Sequence, residues 1–391
     1  MNTNTVKKSI LFIVLALSFY TSQAIDGRLL ISTTPNFFDR WYKSYNEIPM
    51  AHIPQTQTVY KRQVFYMLPV ITGFSATDNR PNISYDVNIS LNGKSVYNKK
   101  AVTGLTKIVN DTSAVFLCET VLNYEFLEKS PDGTYTITVV LHDNISKNTK
   151  QLTAEITVTA YKFNERKFTN ADSFFVWQNY YYEGIEPDRE IDGLMFFSFP
   201  QMQTNAEKTL ALLAYFEDLF KGKTYLLKEL ENIFPSRNAD ERLTMIRVLN
   251  LVSYMPQSLQ NKFTTEEKKF YADLKGFGLP VIPEETVNNH FLLNILWSKF
   301  FATGSYNYAK KIAETFELAK YKGALITFNE SAQTEADKQA AFLETVYQKN
   351  IEDMLKRLPN HPLFNGYCLY MMDRGDVSEL VKKELVSVVV R

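Results

Sequence analysis

The hydrophobic repeat changes once along this chain, from period two to period 3.6, and that change bounds what it can fold into. Between about 57 and 162, apolar side chains alternate with polar ones. In "NISYDVNISLN" the apolar set is Ile83, Tyr85, Val87, Ile89 and Leu91, separated by Ser84, Asp86, Asn88 and Ser90. A strand turns successive side chains to opposite faces, so this segment belongs in a sheet with one wet face. "GTYTITVVLHD" repeats the scheme with Tyr135, Ile137, Val139 and Leu141, and "QLTAEITVTAY" with Leu152, Ile156 and Val158. Turn signals separate the strands: "LNGK" at 91–94, "SPDG" at 130–133 and "HDNISKNTK" at 142–150. Pro131 presets φ and Gly133 accepts a positive φ, so "SPDG" is expected to close a hairpin. Short strands at this spacing suggest an antiparallel sandwich.

After about residue 168 the spacing becomes helical. "NAEKTLALLAYFEDLFKGK" carries Leu210, Leu213 and Phe216 on one side, and "DERLTMIRVLNLVSYM" starts on Asp240 as a candidate N-cap. "TVNNHFLLNILWSKFF", "NYAKKIAETFELAKYKG", "EADKQAAFLETVYQKNIEDMLKRL" and "DVSELVKKELVSVVV" continue the pattern. The expected fold is multidomain β plus α: an N-terminal antiparallel β-sandwich over 57–162, followed by an all-α domain over 168–391, either a bundle or a short α-solenoid. A chain of 391 residues is too long for one ordinary core, which agrees with two domains. Residues 25–56, with "NFFDRWYKSYNEIP", fit neither pattern and are expected to form an N-terminal arm that packs its aromatics on the body.

The start of the chain is a different object. Lys7 and Lys8 precede "ILFIVLALSF", and Ser22 and Ala24 set small residues at the minus-three and minus-one positions of a cleavage site. A basic start, a short apolar run and a small-x-small site read as a signal peptide over 1–24, cleaved after Ala24. The apolar run is about half of the ~20 residues a spanning helix needs. The mature chain is therefore expected to carry no transmembrane segment and to be secreted or periplasmic. Export permits disulfides, yet only Cys118 and Cys368 occur, in different predicted domains; two buried free thiols are expected, with a bridge joining the two domains as the alternative.

Three resemblances follow from these residues. "SPDGTYTITVVLHDN", a Gly-Thr-Tyr strand after a turn, resembles the Ig-like modules of bacterial secreted proteins, which implies an Ig-like sandwich; the Cys…Trp…Cys core of antibody domains is missing. "LLNILWSKFFATGSYNYAKKIAETF" resembles a single tetratricopeptide-type hairpin, with Gly304 at the turn and small residues at 302, 304 and 309. No 34-residue recurrence accompanies it. The order of leader, Ig-like sandwich and helical half resembles uncharacterised exported bacterial proteins, which implies no activity.

The richest aromatic stretch is "SFFVWQNYYYEGIEP", 173–187. Read as a helix, it has Asn170 or Asp172 as N-cap, Gly184 beyond its end and Pro187 as a stop. Phe174, Trp177 and Tyr181 share a face, with Tyr180 beside them, and Phe175 and Tyr182 form a second stripe. A helix apolar around most of its circumference is wedged between other elements, so a core or interface role is expected rather than a sugar platform. The residues chosen as binding candidates are Tyr180, Tyr182, Glu183 and Glu186.

Catalytic signatures are scarce. With 43 basic and 43 acidic residues the chain lacks the basic field that non-specific nucleic-acid binding needs. The four histidines show no zinc-ligand spacing, and neither a G-x-S-x-G elbow nor a phosphate loop occurs. "GLM" (193–195), "SYN" (305–307) and Glu330-Ser331 resemble fragments of lytic transglycosylase motifs, but there the Glu-Ser pair comes first and here it comes last. Glu284 and Glu285 after Pro283 read as first-turn helix residues. "RGD" at 374–376 reads as a helix end at Gly375, then a capping box formed by Asp376 and Glu379. No catalytic residue, metal ligand or cofactor is expected. The reading leans away from an enzyme and towards an exported binding or scaffolding protein with a protein partner. Its rivals are an envelope-polysaccharide enzyme with acidic catalytic residues in the helical domain, and a secreted virulence factor or chaperone.

Overall fold

The computed structural model of the chain describes residues 24–35, 37, 39–43, 55–184, 186–330 and 334–389. The expected leader, apart from Ala24, lies outside them. The chain divides into two compact units, one of Gln55–Ala160 with the segment ending at Thr33, the other of Tyr161–Arg391 with Thr34–Pro54.

The first unit is all β. Its strands are β1 (Asp26–Ser32), β2 (Thr58–Tyr60), β3 (Val64–Thr72), β4 (Ala76–Thr77), β5 (Arg80–Pro81), β6 (Ile83–Leu91), β7 (Lys94–Leu105), β8 (Phe116–Leu117), β9 (Leu122–Glu125), β10 (Gly133–Asp143) and β11 (Thr149–Thr159). One sheet runs β2-β11-β10-β6-β7; in the other, β3 pairs with β1, β8 and β9. The alternation in the sequence is the alternation of burial: Tyr85, Val87 and Ile89 on β6 and Tyr135, Ile137, Val139 and Leu141 on β10 are all buried. The second sheet meets them from across the core. Phe126 lies 4.5 Å from Tyr135 between ring centroids, Tyr97 lies 4.9 Å from Tyr124, and the Tyr85 hydroxyl donates to the Thr120 carbonyl at 2.6 Å.

Two turns form as expected and one does not. "LNGK" closes the β6–β7 hairpin, with Asn92 and Gly93 both at positive φ (50° and 77°), the two-residue geometry that matches strand twist. "HDNISKNTK" closes the β10–β11 hairpin, pinned by Asp143, whose Oδ2 accepts from Ser75 N and whose Oδ1 accepts from Ile145 N. "SPDG" makes no hairpin. β9 pairs with β3 and β10 with β6 and β11, so this turn carries the chain from one sheet to the other. Turn chemistry specifies a reversal of direction but not which strand the returning chain joins. The arm also begins differently from the expectation for 25–56: Asp26–Ser32 is a strand, antiparallel to β3 with Asp26 opposite Thr72.

The second unit is helical. After α1 (Asp39–Tyr42) come α2 (Ala171–Tyr180), α3 (Glu190–Phe197), α4 (Ala206–Phe220), α5 (Thr224–Ile233), α6 (Ala239–Leu251), α7 (Gln257–Gln260), α8 (Thr265–Asp273), α9 (His290–Thr303), α10 (Tyr306–Glu314), α11 (Ala324–Glu330), α12 (Glu335–Arg357), α13 (Pro362–Arg374) and α14 (Glu379–Val388). Among the described residues no helix is long and apolar enough to cross a membrane. The caps explain the boundaries. α6 starts from Asn238, not Asp240, because Asn238 and Glu241 form a reciprocal capping box that satisfies two otherwise orphaned N–H groups. α9 and α10 form the hairpin read from "LLNILWSKFFATGSYNYAKKIAETF", with Gly304 left-handed between them. Glu284 and Glu285 lie outside any helix, since Asn289 caps α9 five and four residues later. Of the described residues in the rest of the arm, Phe37 and Arg40 are buried in this unit.

Candidate functional site

The aromatic stretch folds as its sequence suggests and then tightens. Asn170 Oδ1 accepts from Ser173 N at 2.8 Å and caps α2; a 3-10 turn over Tyr181–Glu183 follows, and Gly184 ends it at φ 77°. Phe174, Trp177, Tyr181 and Tyr182 are buried, while Phe175 and Val176 face outward. The second stripe is therefore split, Phe175 exposed and Tyr182 hidden, because the 3-10 turn rotates Tyr182 off the helical register. The rings around Trp177 are Phe168, Phe174, Tyr181 and Tyr215, at 5.4 to 6.0 Å, all in the helical unit. These aromatics are core.

Of the four binding candidates, three converge. Tyr180, half-buried, stacks on His361 with centroids 4.9 Å apart and planes 23° from parallel. The Tyr182 hydroxyl is 2.9 Å from His361 Nδ1, and its ring tilts on Phe300 at 5.1 Å. Arg40 Nη2 donates to the Tyr182 carbonyl at 2.5 Å across 142 positions of sequence. Glu183 is half-buried and stands in the electrostatic neighbourhood of Arg40, Tyr182 and Tyr367. Glu186 goes elsewhere: its carboxylate accepts from Arg189 Nη1 at 3.0 Å, and its carbonyl accepts from Trp177 Nε1 at 3.2 Å.

Gly304 completes this cluster. It sits at φ 62°, and a Cβ there would come within 2.8 Å of Arg40 Nη2 and 3.1 Å of both Tyr182 Cβ and Leu363 Cδ2. Its carbonyl accepts from the Tyr367 hydroxyl at 3.1 Å. The small residue read as a helix-hairpin spacer thus makes room for an arginine from the arm. Gly304→Ala combines left-handed strain with overpacking and is expected to cost about 2 kcal/mol. An unshifted urea midpoint in that variant would contradict the contact.

The electrostatics of the cluster keep both members of the His361–Tyr182 pair uncharged at neutral pH. Burial, and then the nearby Arg357 charge, push His361 down to about 4, so its imidazole is neutral. Burial raises the Tyr182 phenol above its ordinary value. His361, Arg40, Tyr367 and Arg357 were not singled out from sequence. His361 had a weak local signal, a lone histidine between Pro359 and Pro362 at a helix start. Arg40 had none.

A second polar network lies on the other side of α2. The Tyr181 hydroxyl donates to Glu190 Oε1 at 2.8 Å, and Lys223 Nζ donates to the Tyr181 hydroxyl at 2.7 Å and to Glu190 Oε1 at 3.3 Å. Glu190 Oε2 and the Tyr215 hydroxyl are buried without a hydrogen-bond partner among the described residues. Burial lowers the Lys223 ammonium and raises the Tyr181 phenol, so the lysine–phenol pair ties the 3-10 turn to α3 and α5 without supplying a phenolate. On α3, burial raises the Asp192 carboxyl; its Oδ1 accepts from Arg166 N at 2.8 Å and its Oδ2 has no partner among the described residues.

The remaining sequence candidates fall into ordinary places. Cys118 and Cys368 are both free and buried, and burial raises both thiols, Cys118 to about 12. His290 is the first residue of α9, bonded through Nε2 to Thr345 Oγ1 at 3.0 Å. In "RGD", Gly375 ends α13 at φ 76°, but the expected capping box is absent. Ser378 caps α14, and Asp376 accepts from the Tyr306 hydroxyl at 2.7 Å, which draws its carboxylate away from the helix start. Gly193 of "GLM" packs under the Trp177 indole, and Ser331 and the side chain of Glu330 lie outside the described residues. Among the described residues no group of three or more His, Cys, Asp or Glu could hold a metal ion.

No family model and no curated protein matches the chain. Among solved structures, the chain is similar to the CARDB domain of the PF1109 protein from Pyrococcus furiosus, in complex with di-metal ions. The identity is 12%, over 36% of this chain and 97% of that one, with a TM-score of 0.20. It is also similar to a Niemann-Pick type C2 protein from Japanese carpenter ant, at 8% identity over 36% of this chain and 96% of that one, with a TM-score of 0.23. Likenesses at these scores carry neither a fold nor an activity to this chain.

Proposed function

We propose that this chain is an exported, non-enzymatic binding or scaffolding protein that acts on a protein partner in the periplasm or outside the cell. Export rests on the leader read over 1–24. The observation that carries the binding reading is the Tyr182–His361 pair. The buried histidine nearest the sequence-chosen residues is neutral, bonded to a phenol and stacked on Tyr180, an arrangement that supports a shape-holding role, since its lowered value makes it a weak base. Half-buried Tyr180 and Glu183 are then the part of the cluster a partner can reach.

One observation favours the rival enzyme. Asp192 is a buried carboxyl raised above its ordinary value, the state a general acid needs. The test uses the purified mature chain and the producing organism's envelope fraction. A protein retained at fixed stoichiometry by the wild type and lost by Tyr180→Ala, with an unchanged melting temperature, supports binding through this cluster. Turnover of peptidoglycan or another envelope glycan that Asp192→Asn abolishes would overturn the reading and install the enzyme.

A further inference from the structure

One cation in the helical unit, Arg357, makes no direct ion pair among the described residues, although the Asp353 carboxylate acts on it from one turn away. Arg357 ends α12, and its guanidinium lies 4.5 Å from the Trp297 ring centroid and 5.1 Å from that of Phe301. Among the described residues it makes no hydrogen bond and no ion pair. A carboxylate stands one helical turn back: Asp353 is bonded to Lys349 through Oδ1, and its Oδ2 is free. Acid–arginine pairs at this spacing ordinarily bond. Here the guanidinium lies on the indole face instead, half-buried and with no protein acceptor bonded to it among the described residues.

A second group in the same place lacks an acceptor. Trp297 is only 1% exposed, and its buried Nε1–H has no hydrogen-bond partner among the described residues. A buried N–H left unbonded is destabilising, and an acceptor arriving from outside would relieve it. The guanidinium lies over this same ring, so an acceptor held by Arg357 comes to rest next to the indole. α13 begins beside them with Pro362 at its first turn and no side-chain cap, which adds the positive end of a helix dipole.

We propose that the unbonded guanidinium of Arg357, above Trp297 and beside His361, binds a small or terminal carboxylate. The charge count selects a monoanion. Lys349 and Asp353 neutralise each other and His361 is uncharged, so one positive charge remains; a phosphate dianion would leave a negative charge uncompensated. Geometry selects a fork-shaped acceptor, since a guanidinium bonds a carboxylate through two parallel N–H groups. The rings of Trp297, Phe301 and His361 are themselves buried, so the ligand meets an edge and not an open aromatic floor. This site stands apart from the scaffolding reading, because a free small acid would occupy it whatever protein the chain binds.

The test follows the indole Nε1–H resonance of Trp297 in the full chain by NMR, assigned by its loss in Trp297→Phe. Acetate, N-acetylalanine and glucuronate are titrated at constant ionic strength, with inorganic phosphate as the comparison. The expected result is a saturable shift with at least one carboxylate. Preference for acetate, N-acetylalanine or glucuronate then identifies a free acid, a peptide terminus or an acidic sugar as the source. Arg357→Gln weakens that binding about tenfold or more, and Arg357→Lys, which keeps the charge and loses the fork, also weakens it. An Nε1–H resonance indifferent to every carboxylate would overturn the proposal. So would a response that survives in Arg357→Gln, or one in which phosphate binds as tightly as the acids.

Discussion

Replacing Trp177 by alanine should lower the unfolding free energy of this protein by about 3–5 kcal/mol, the range for emptying a buried tryptophan site. The indole is 3% exposed and sits among four other rings, and its Nε1–H bonds the Glu186 carbonyl at 3.2 Å. The site cannot collapse easily. Gly193 is already pressed against the indole, where a built Cβ would lie 2.5 Å from Cζ3, so one wall of the cavity is backbone. The check is urea denaturation followed by far-ultraviolet circular dichroism. Val176→Ala, one residue away and 61% exposed, should move the midpoint by no more than about 0.5 kcal/mol. A Trp177→Ala protein that keeps its midpoint but loses a binding partner would show that the ring serves recognition and not packing.

The second large effect is a pH dependence owed to His361. Its folded value is pushed down to about 4 from the ordinary histidine value of about 6.5, by burial first and the Arg357 charge second. Between those two values the unfolded chain holds a proton that the folded chain refuses, so stability rises with pH across the window. The contribution is complete above pH 6.5 and is lost as pH falls towards 4, amounting to about 3 kcal/mol by the lower end. His361→Gln should flatten that slope most cleanly above about pH 5.5, before the carboxylates lowered in the folded state, such as Glu344 and Glu384, begin to contribute. Denaturation midpoints at half-unit steps from pH 7 to 4.5 measure it. Identical slopes for wild type and variant would mean that His361 takes up its proton without cost, and the buried Tyr182 pair would need another explanation.

Both expectations draw on residues of which only one was legible beforehand. Trp177 stood out because helical spacing and a run of rings are local properties. The same is true of Asn170 as a cap, of the Asn92-Gly93 turn and of the α9–α10 hairpin. Where the reading failed, it failed on partners. "SPDG" turned as its residues dictate but delivered the strand to the opposite sheet, and Asp376 had a capping pattern yet was taken by Tyr306. Of the four candidates chosen from "YYYEGIEP", adjacency in sequence kept three together, and a break at Gly184 sent Glu186 to Arg189.

The chain's own order of residues determined the change from strands to helices, most of their positions, and the burial of the aromatic stretch, because periodicity acts within a few residues. Only the tertiary structure decided that Asp26–Ser32 joins a sheet, that Arg40 reaches the Tyr182 carbonyl, that Tyr182 meets His361 across 179 positions, and that Arg357 lies on Trp297 without a bonded acceptor among the described residues. Those contacts join segments that no local pattern relates. They exist because each buried polar group must find a partner wherever the packed chain happens to bring one.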